Sequence, residues 1–177
     1  HWLNGGGDDP FAPRFARPGF DLTVDAFPRT ANTWTYYQIQ LAFPKAKIGH
    51  HIHSWQHLLF SKLFGIPTIL IVREPDAAVQ SLVTKRGGSL ALSYLEYVIT
   101  NSFGRLFADR VFFFDDLTGQ AGVTPLTLVV GEILGTRPSE VGPDDVRALM
   151  AKRTDHKNSA TPTFRTENLG FLARILR

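Results

Sequence analysis

The chain has 177 residues, 44% of them hydrophobic and 20% charged, which is enough for one globular domain with a buried core. Its 19 basic and 16 acidic residues give a formal charge of +3, without the basic excess of typical nucleic-acid-binding proteins, and we expect no nucleic-acid partner. Cysteine is absent, which excludes disulfides, thiolate nucleophiles and cysteine-ligated zinc.

Targeting signals are weak in this sequence. No apolar run approaches the ~20 residues that cross a bilayer, so we expect no membrane span. The start, from His1 to Pro10, lacks the basic and apolar regions of a secretory signal, but it also lacks an initiator Met, so targeting information could have been trimmed. We expect a cytoplasmic location, with which the absence of cysteine is compatible. The oligomeric state stays open.

Residues 1–19 contain frequent Gly and Pro, which predict an irregular N-terminal arm. A single domain is predicted at 20–177. Strand and helix patterns then alternate. The predicted strands are 20–27, 47–52, 66–72 and 111–114. The predicted helices are 33–43, 54–64, 75–85, 89–108, 124–134 and 143–152, with Ser54 as a plausible N-cap. Residues 115–119 are predicted as a turn and 154–167 as a polar loop.

This alternation predicts an α/β fold of three layers, a central parallel sheet flanked by helices. Residues 66–72 form the clearest strand, uncharged and β-branched as when both faces of a sheet are covered, and Phe112–Phe114 is also predicted as buried strand. The helix at 89–108 is predicted to be amphipathic, because several residues recur at helical spacing. These are Leu95, Val98, Ile99, Ser102 and Leu106.

Polar junctions follow three of the predicted strands, and in a parallel sheet all three open at the edge where ligands bind. The first junction is Phe27-Pro28-Arg29-Thr30-Ala31-Asn32-Thr33-Trp34. A basic, hydroxyl-rich turn before a helix favours an anion such as phosphate, since backbone N–H groups and the helix dipole point at it. The turn is not a Walker A loop, because GxxxxGK[ST] is absent. The alternative interpretation is a solvated turn that caps the helix.

The second junction combines Arg73-Glu74-Pro75 at a strand end with Ser81 on the following helix. A guanidinium fork and a hydroxyl in this arrangement can converge on one phosphate. Alternatively, Arg73 pairs with Glu74 or Asp76, and Ser81 bonds back within its own helix.

With both segments considered, the chain resembles sulfotransferases that use 3′-phosphoadenosine-5′-phosphosulfate (PAPS), a family with a P-loop NTPase-like fold. Residues 27–34 are similar to the family's Tyr-Pro-Lys-Ser-Gly-Thr-Thr-Trp segment, which binds the 5′-phosphosulfate. Arg73-Glu74-Pro75 with Ser81 matches its Arg-x-Pro segment for the 3′-phosphate. Phe114-Asp115-Asp116-Leu117 resembles the later Tyr-Glu-Asp-Leu, and Leu134-Gly135 the Leu-Gly that follows.

The resemblance implies a role for each matching residue. Arg29, in place of the family's Lys, would neutralise the oxygen that bridges the phosphate and the sulfuryl group. Trp34 would stack on adenine, and Arg73 and Ser81 would hold the 3′-phosphate. The loop that contacts the 5′-phosphate is formed by Thr30, Ala31, Asn32 and Thr33. Ala31 stands where the family has Gly, a costly replacement if that position needs a positive φ.

The third junction, Gly49-His50-His51-Ile52-His53 with His57 beyond it, offers candidates for the base that removes the acceptor's proton. His51 aligns best with the family's His, and His53 comes second because it shares a strand face with His51 by period-two parity. A metal site using His53 and His57 is an alternative, weakened by the lack of a carboxylate within the cluster, so no metal is assigned. Packing and helix capping by these histidines is another.

We therefore expect a PAPS-dependent sulfotransferase that transfers a sulfuryl group to a hydroxyl or amine of a small molecule or glycan and releases adenosine 3′,5′-bisphosphate. The alternatives are a sulfotransferase-like module that binds the nucleotide without catalysis and, against the missing Walker A Lys, a nucleotide or small-molecule kinase. In the C-terminal region, Lys157, Asn158, Ser159 and Arg165 match the family too loosely to receive a role, and a solvated tail is the favoured interpretation.

Overall fold

Strands and helices alternate along residues 14–117 and 124–159, the part of the chain that the computed structural model describes, with backbone alone beyond Lys152. In chain order the elements are β1 (Leu22–Ala26), α1 (Asn32–Ala42), β2 (Ile48–His50), α2 (Trp55–Leu63), β3 (Thr68–Val72), α3 (Pro75–Arg86), α4 (Leu90–Phe107), β4 (Arg110–Phe113), α5 (Phe114–Leu117), α6 (Pro125–Leu134) and α7 (Pro143–Ser159).

The four strands form one parallel sheet in the order β2-β1-β3-β4. In its register Thr23 lies opposite Gly49 on one side and opposite Thr68 on the other. The parallel α/β prediction is confirmed, and the carboxyl ends of all four strands share one edge. The loops after β1, β2 and β3 therefore open together, which is the arrangement that brings distant polar residues to a common site.

Helices cover both faces of this sheet. On one face, alternate residues of β1 and β3, including Leu22, Val24 and Ile71, pack with Tyr37 of α1 and with α6 and α7. On the other, residues of the opposite parity pack with α2, α3 and α4 in two smaller clusters. Every residue of β3 is buried, as its uncharged sequence predicts. Burial of this kind supplies most of the free energy that holds an α/β sheet between its helices.

Local signals fix several helix starts. The Ser54 hydroxyl accepts a hydrogen bond from the Gln56 amide at 3.2 Å, so the predicted N-cap of α2 is present. At α3 the carboxylate of Glu74 caps the helix by accepting from the amides of Asp76 and Ala77, and Pro75 occupies the first turn. Both caps satisfy amides that a helix cannot pair internally.

Three predictions about the later part of the chain are wrong. Residues 154–159, expected in a loop, continue α7 to Ser159. The short helix α5 replaces both the predicted strand end at Phe114 and the start of the predicted turn at 115–117. Phe113, expected to be buried, is 51% exposed, because β4 is the last strand of the described sheet and Phe113 lines an open cavity next to α4. The remainder of the predicted turn and loop, residues 118–119 and 160–167, lies outside the described residues.

The fourth discrepancy concerns α4, whose orientation is the reverse of an ordinary amphipathic helix. It buries small and polar residues, including Asn101 and Gly104, and leaves its apolar stripe in solvent. A Cβ added to Gly104 would lie 3.2 Å from a methyl group of Leu70, so glycine allows α4 to approach the sheet closely. The exposed large apolar residues of the helix are Leu90, Leu92, Leu95, Val98, Ile99, Phe103 and Leu106.

Part of the predicted N-terminal arm is attached to the sheet. Arg14 forms an isolated antiparallel bridge with His50 through two backbone hydrogen bonds, and the amide of Ala16 donates to Nε2 of His57 at 2.9 Å. A Cβ on Gly49 would lie 2.8 Å from Cβ of Ala16, so this contact requires glycine there. Among the described helices, none has the length and apolarity to span a membrane.

Candidate functional site

The loop after β1 enters α1 through two residues with left-handed backbone, Arg29 at φ 71° and Ala31 at φ 62°. Ala31 occupies the N-cap position, and no side chain caps the helix. The hydroxyl of Thr30 turns inward and donates to the carbonyl of Phe27 at 2.6 Å. The first-turn amides of α1 therefore lack the usual side-chain acceptor, which is the arrangement that favours an anion at a helix N-terminus.

Two arginines and a serine from separate elements meet beside this loop. Nε of Arg29 donates to Oγ of Ser81 on α3 at 3.0 Å, and Nη1 of Arg73 donates to the backbone carbonyl of Arg29 at 3.0 Å. Ser81 thus bonds to Arg29 and not back to its own helix. The two sequence-predicted anion segments, 44 residues apart between Arg29 and Arg73, are in direct contact.

Arg73 is held in place by contacts that leave its charge unneutralised within the described residues. Its guanidinium carbon lies 4.3 Å from the centre of the Phe114 ring, and its backbone carbonyl accepts from the hydroxyl of Tyr97. Neither expected acidic partner pairs with it, because Glu74 caps α3 and Asp76 accepts from Tyr94. A guanidinium positioned in this way retains donors for a phosphate.

A cavity of about 490 Å³ lies beside Arg73, between the end of β3, helix α4 and the β4–α5 junction. Its walls combine Phe113 and Phe114 with a second guanidinium, that of Arg105. Asn101 also lines it, 6% exposed, with Nδ2 donating to the Tyr97 carbonyl and Oδ1 unpaired among the described residues. Such a cavity offers an apolar surface, positive charge and one acceptor to a ligand.

Two tyrosines near this cavity keep their protons to higher pH than usual. Burial raises the pKa of Tyr97, although the charge of Arg105 acts in the opposite direction. The hydrogen bond to Asp76 is the main cause that raises the pKa of Tyr94. Tyr97 therefore remains a donor to the Arg73 backbone across the neutral range.

The histidine segment follows β2 at the same edge. His51 lies next to the loop after β1, since its Nε2 is 2.9 Å from Oγ1 of Thr33, and its Nδ1 is 2.5 Å from Nδ1 of His50. His50 is fully buried and stacks on Tyr36 with ring centres 3.8 Å apart. If the Thr33 hydroxyl donates to Nε2 of His51, that nitrogen carries the lone pair that a base needs.

His51 and His53 both have left-handed backbone, at φ 62° and 58°. The parity argument for a shared strand face is wrong, because β2 ends at His50. In the described part of the chain, every non-glycine residue with positive φ lies in this segment or in the loop after β1. Backbone strain of about 1–3 kcal/mol per residue persists where surrounding structure enforces it, and it clusters at functional sites.

Asp25 is buried under the loops after β1 and β2 and connects them. The sequence pattern did not identify it. It is 1% exposed, and its Oδ1 accepts from the amides of Ala26 and His53 and from Nδ2 of Asn32. Its Oδ2 accepts from Nδ1 of His57 at 2.7 Å. The histidine segment itself contains no carboxylate, but the fold brings Asp25 to it from β1. The available signal was an acidic residue within an otherwise uncharged strand.

The tautomer of His57 follows from its two partners. The Ala16 amide can only donate, so Nε2 of His57 accepts its hydrogen bond. Nδ1 therefore carries the ring proton and donates a hydrogen bond to Asp25. His57 is fully buried with both ring nitrogens engaged, which makes it a structural residue. The described residues contain no group of three or more His, Asp or Glu side chains arranged to hold a metal ion.

The remaining predicted ligands are positioned differently from one another. Arg29, Thr33, Arg73 and Ser81 face the shared edge, whereas the side chains of Thr30 and Asn32 bond inward to the protein. Trp34 is half-buried against the core and donates its Nε1 proton to the carbonyl of Leu117 at 3.0 Å. Lys157, Asn158 and Ser159 belong to α7, and Arg165 lies outside the described residues.

No protein-family model matches the chain, and no curated protein is significantly similar to it.

Proposed function

We propose that this chain is a PAPS-dependent sulfotransferase with a P-loop-like sulfotransferase fold. The observation that carries the proposal is the contact series Ser81–Arg29–Arg73 beside the uncapped N-terminus of α1. PAPS has two separate anionic groups, and two guanidinium groups together with a helix N-terminus provide complementary charge for both. Arg73 and Ser81 serve the 3′-phosphate, and Arg29 and the loop amides serve the 5′-phosphosulfate.

The contacts of the loop define which atoms do the binding. Because Thr30 and Asn32 use their side chains to bond Phe27 and Asp25, their contribution to the 5′-phosphate comes from backbone amides. Arg29, bonded to Ser81, has to rotate its guanidinium from Ser81 toward the phosphosulfate. Ser81 holds that guanidinium beside the loop, and Arg73 fixes the backbone from which it extends by donating to the Arg29 carbonyl.

In the proposed reaction His51 is the base. The acceptor's oxygen or nitrogen forms a bond to sulfur, the bond between sulfur and the bridging oxygen breaks, and the acceptor's proton passes to Nε2 of His51. Adenosine 3′,5′-bisphosphate leaves with the bridging oxygen, whose negative charge Arg29 stabilises. The protein contributes positioning and charge neutralisation, as in phosphoryl transfer, and the acceptor is a small molecule or glycan.

Calorimetric titration tests the nucleotide assignment. We expect the unmodified chain to bind adenosine 3′,5′-bisphosphate more tightly than AMP, and Arg73→Ala to lose at least about tenfold in affinity for the bisphosphate, since a charge-assisted hydrogen bond contributes about 1.5–3 kcal/mol. Arg86→Ala, at the exposed end of α3, is the control and should bind as the unmodified chain does. Equal affinity for both nucleotides would contradict the proposal.

A non-catalytic nucleotide-binding module is the second candidate. One observation that favours it is the hydrogen bond that directs Arg29 to Ser81. The other is the left-handed backbone of Ala31, at a position where the sulfotransferase family has Gly. The two candidates differ in one result. Selective bisphosphate binding without transfer of radiolabelled sulfate from PAPS to any hydroxyl or amine acceptor would favour the module.

A further inference from the structure

The outer face of α4 is apolar along its whole length. Viewed along the helix, the buried residues Tyr97, Asn101 and Gly104 lie on one side, and the opposite side carries leucine and isoleucine. Leu92 is 67% exposed and Leu106 is 72% exposed. The described residues include nothing that covers this face. Exposed apolar surface of this extent on one element marks an interaction site.

The spacing along this face matches that of paired helices. Leu92, Leu95, Ile99, Ser102 and Leu106 are separated by three, four, three and four residues, which is the repeat of the seam in a coiled coil. Glu96 and Arg105 are the only charged residues of α4. They are nine residues apart, and at about 100° of rotation per residue they lie on opposite flanks of the seam. The centre of the face therefore contains no charge.

From this face we propose that α4 pairs with α4 of a second copy of the chain and forms a two-fold symmetric dimer. An interface of this type presents the same patch from both partners, so it requires a surface without repelling charges at its centre, which α4 has. The exposed side chains of Leu92, Leu95, Ile99 and Leu106 would form the apolar centre of such an interface, to which each partner of a stable dimer contributes ~800 Å² in total.

A lipid surface fits the same helix less well. Helices that bind membrane surfaces carry several Lys or Arg residues beside the apolar face, and α4 has Arg105 alone. Ser102, small and near the middle of the seam, permits two helix backbones to approach closely. The dimer would also place the second copy beside the cavity next to Arg73, because Val98, Ser102 and Arg105 line that cavity.

Sedimentation of the full chain from about 1 to 100 µM tests the proposal, which is independent of the proposed function. We expect a dimer for the unmodified chain and a monomer for the double variant Leu95→Glu and Ile99→Glu, with the fold monitored by circular dichroism. Leu128→Glu is the matched control, since Leu128 on α6 is 53% exposed and Leu95 is 55% exposed. We expect the Leu128→Glu variant to remain a dimer.

Cross-linking provides a second readout that does not weaken the apolar face. The chain has no cysteine, so Ser102→Cys introduces a single thiol near the centre of the seam. Under mild oxidation it should form a covalent dimer, and Leu128→Cys should not. A monomeric unmodified chain at all concentrations would overturn the proposal, as would a double variant that remains dimeric, or a monomer that binds phosphatidylcholine vesicles through α4.

Discussion

The guanidinium of Arg73 donates a hydrogen bond to the backbone carbonyl of Arg29, 3.0 Å away, and so connects the end of β3 with the loop after β1. Arg29 passes the connection on to Ser81. Because both arginines serve one edge of a parallel sheet, a single doubly phosphorylated ligand can contact them together.

Replacement of the proposed base should separate chemistry from binding. We expect His51→Ala to lower turnover with PAPS by about 10²–10⁴, the usual contribution of a general base, and to leave the calorimetric affinity for adenosine 3′,5′-bisphosphate nearly unchanged. His53→Ala is the comparison, since Nδ1 of His53 donates to the carbonyl of Ala26. If binding and turnover fall together in a folded His51 variant, that role is wrong.

The left-handed Ala31 should be a site where glycine stabilises the protein. Its φ of 62° brings Cβ close to the following carbonyl, a conflict that glycine lacks. After allowance for the greater freedom of glycine in the unfolded chain, we expect Ala31→Gly to raise the free energy of unfolding in urea by about 0.5–1 kcal/mol. Ala148→Gly, on the exposed face of α7, should lower it by a similar amount.

Asp25→Asn should be strongly destabilising, because no arrangement of protons satisfies the variant. If the amide nitrogen replaces Oδ2, it faces the Nδ1 proton of His57, and moving that proton to Nε2 opposes the donating amide of Ala16. We expect a loss of about 2–4 kcal/mol in urea unfolding. Asp21→Asn, where an exposed carboxylate accepts from the Lys47 amide, is the control and should cost less than about 1 kcal/mol.

Asp109 should make stability depend on pH in acid. Burial acts to raise its pKa, but hydrogen bonds from Lys62 and Thr68 and the charge of Lys62 hold the pKa below its usual value. A carboxyl group with a lowered folded-state pKa stabilises the protein above its unfolded value near 4, and that contribution disappears as the pH falls through the folded-state pKa.

Urea unfolding between pH 7 and pH 2.5 measures this dependence. Asp109→Asn should lose stability at pH 7 and show a shallower decline in acid, with an effect of no more than about 1 kcal/mol because the ion pair is partly exposed and screened. Asp144→Asn, which removes an exposed ion pair with Arg147, should retain the decline of the unmodified chain. An unchanged acid slope in the Asp109 variant would contradict the assignment.

Local sequence signals predicted the regular elements well. Three of these signals are the buried run of β3, the Ser54 cap and Pro75 at the start of α3. Each depends on residues adjacent in sequence, so the sequence pattern alone predicts the element. The convergence of Arg29 and Arg73 followed from the topology, since parallel strands gather their carboxyl ends.

The network under the loops could not be predicted in the same way. The donors to Asp25 come from positions 26, 32, 53 and 57, which no periodicity relates. Similarly, the spacing of Leu95 and Ile99 defines an apolar stripe on α4, but it does not show which side of the helix packs on the sheet. The close approach of Gly104 to Leu70 determines that side. The end of β2 at His50 depends on pairing with β1.

The contact between Ala16 and His57 makes residues 14–16 part of the folded domain. His57 needs the Ala16 amide to occupy Nε2, and Gly49 provides the space for Ala16 to lie against β2. A version that starts at Phe20, where the first strand pattern begins, would leave a buried imidazole nitrogen without its donor and uncover the backbone groups of His50. Expression vectors for this protein should therefore retain the chain from Arg14 or earlier.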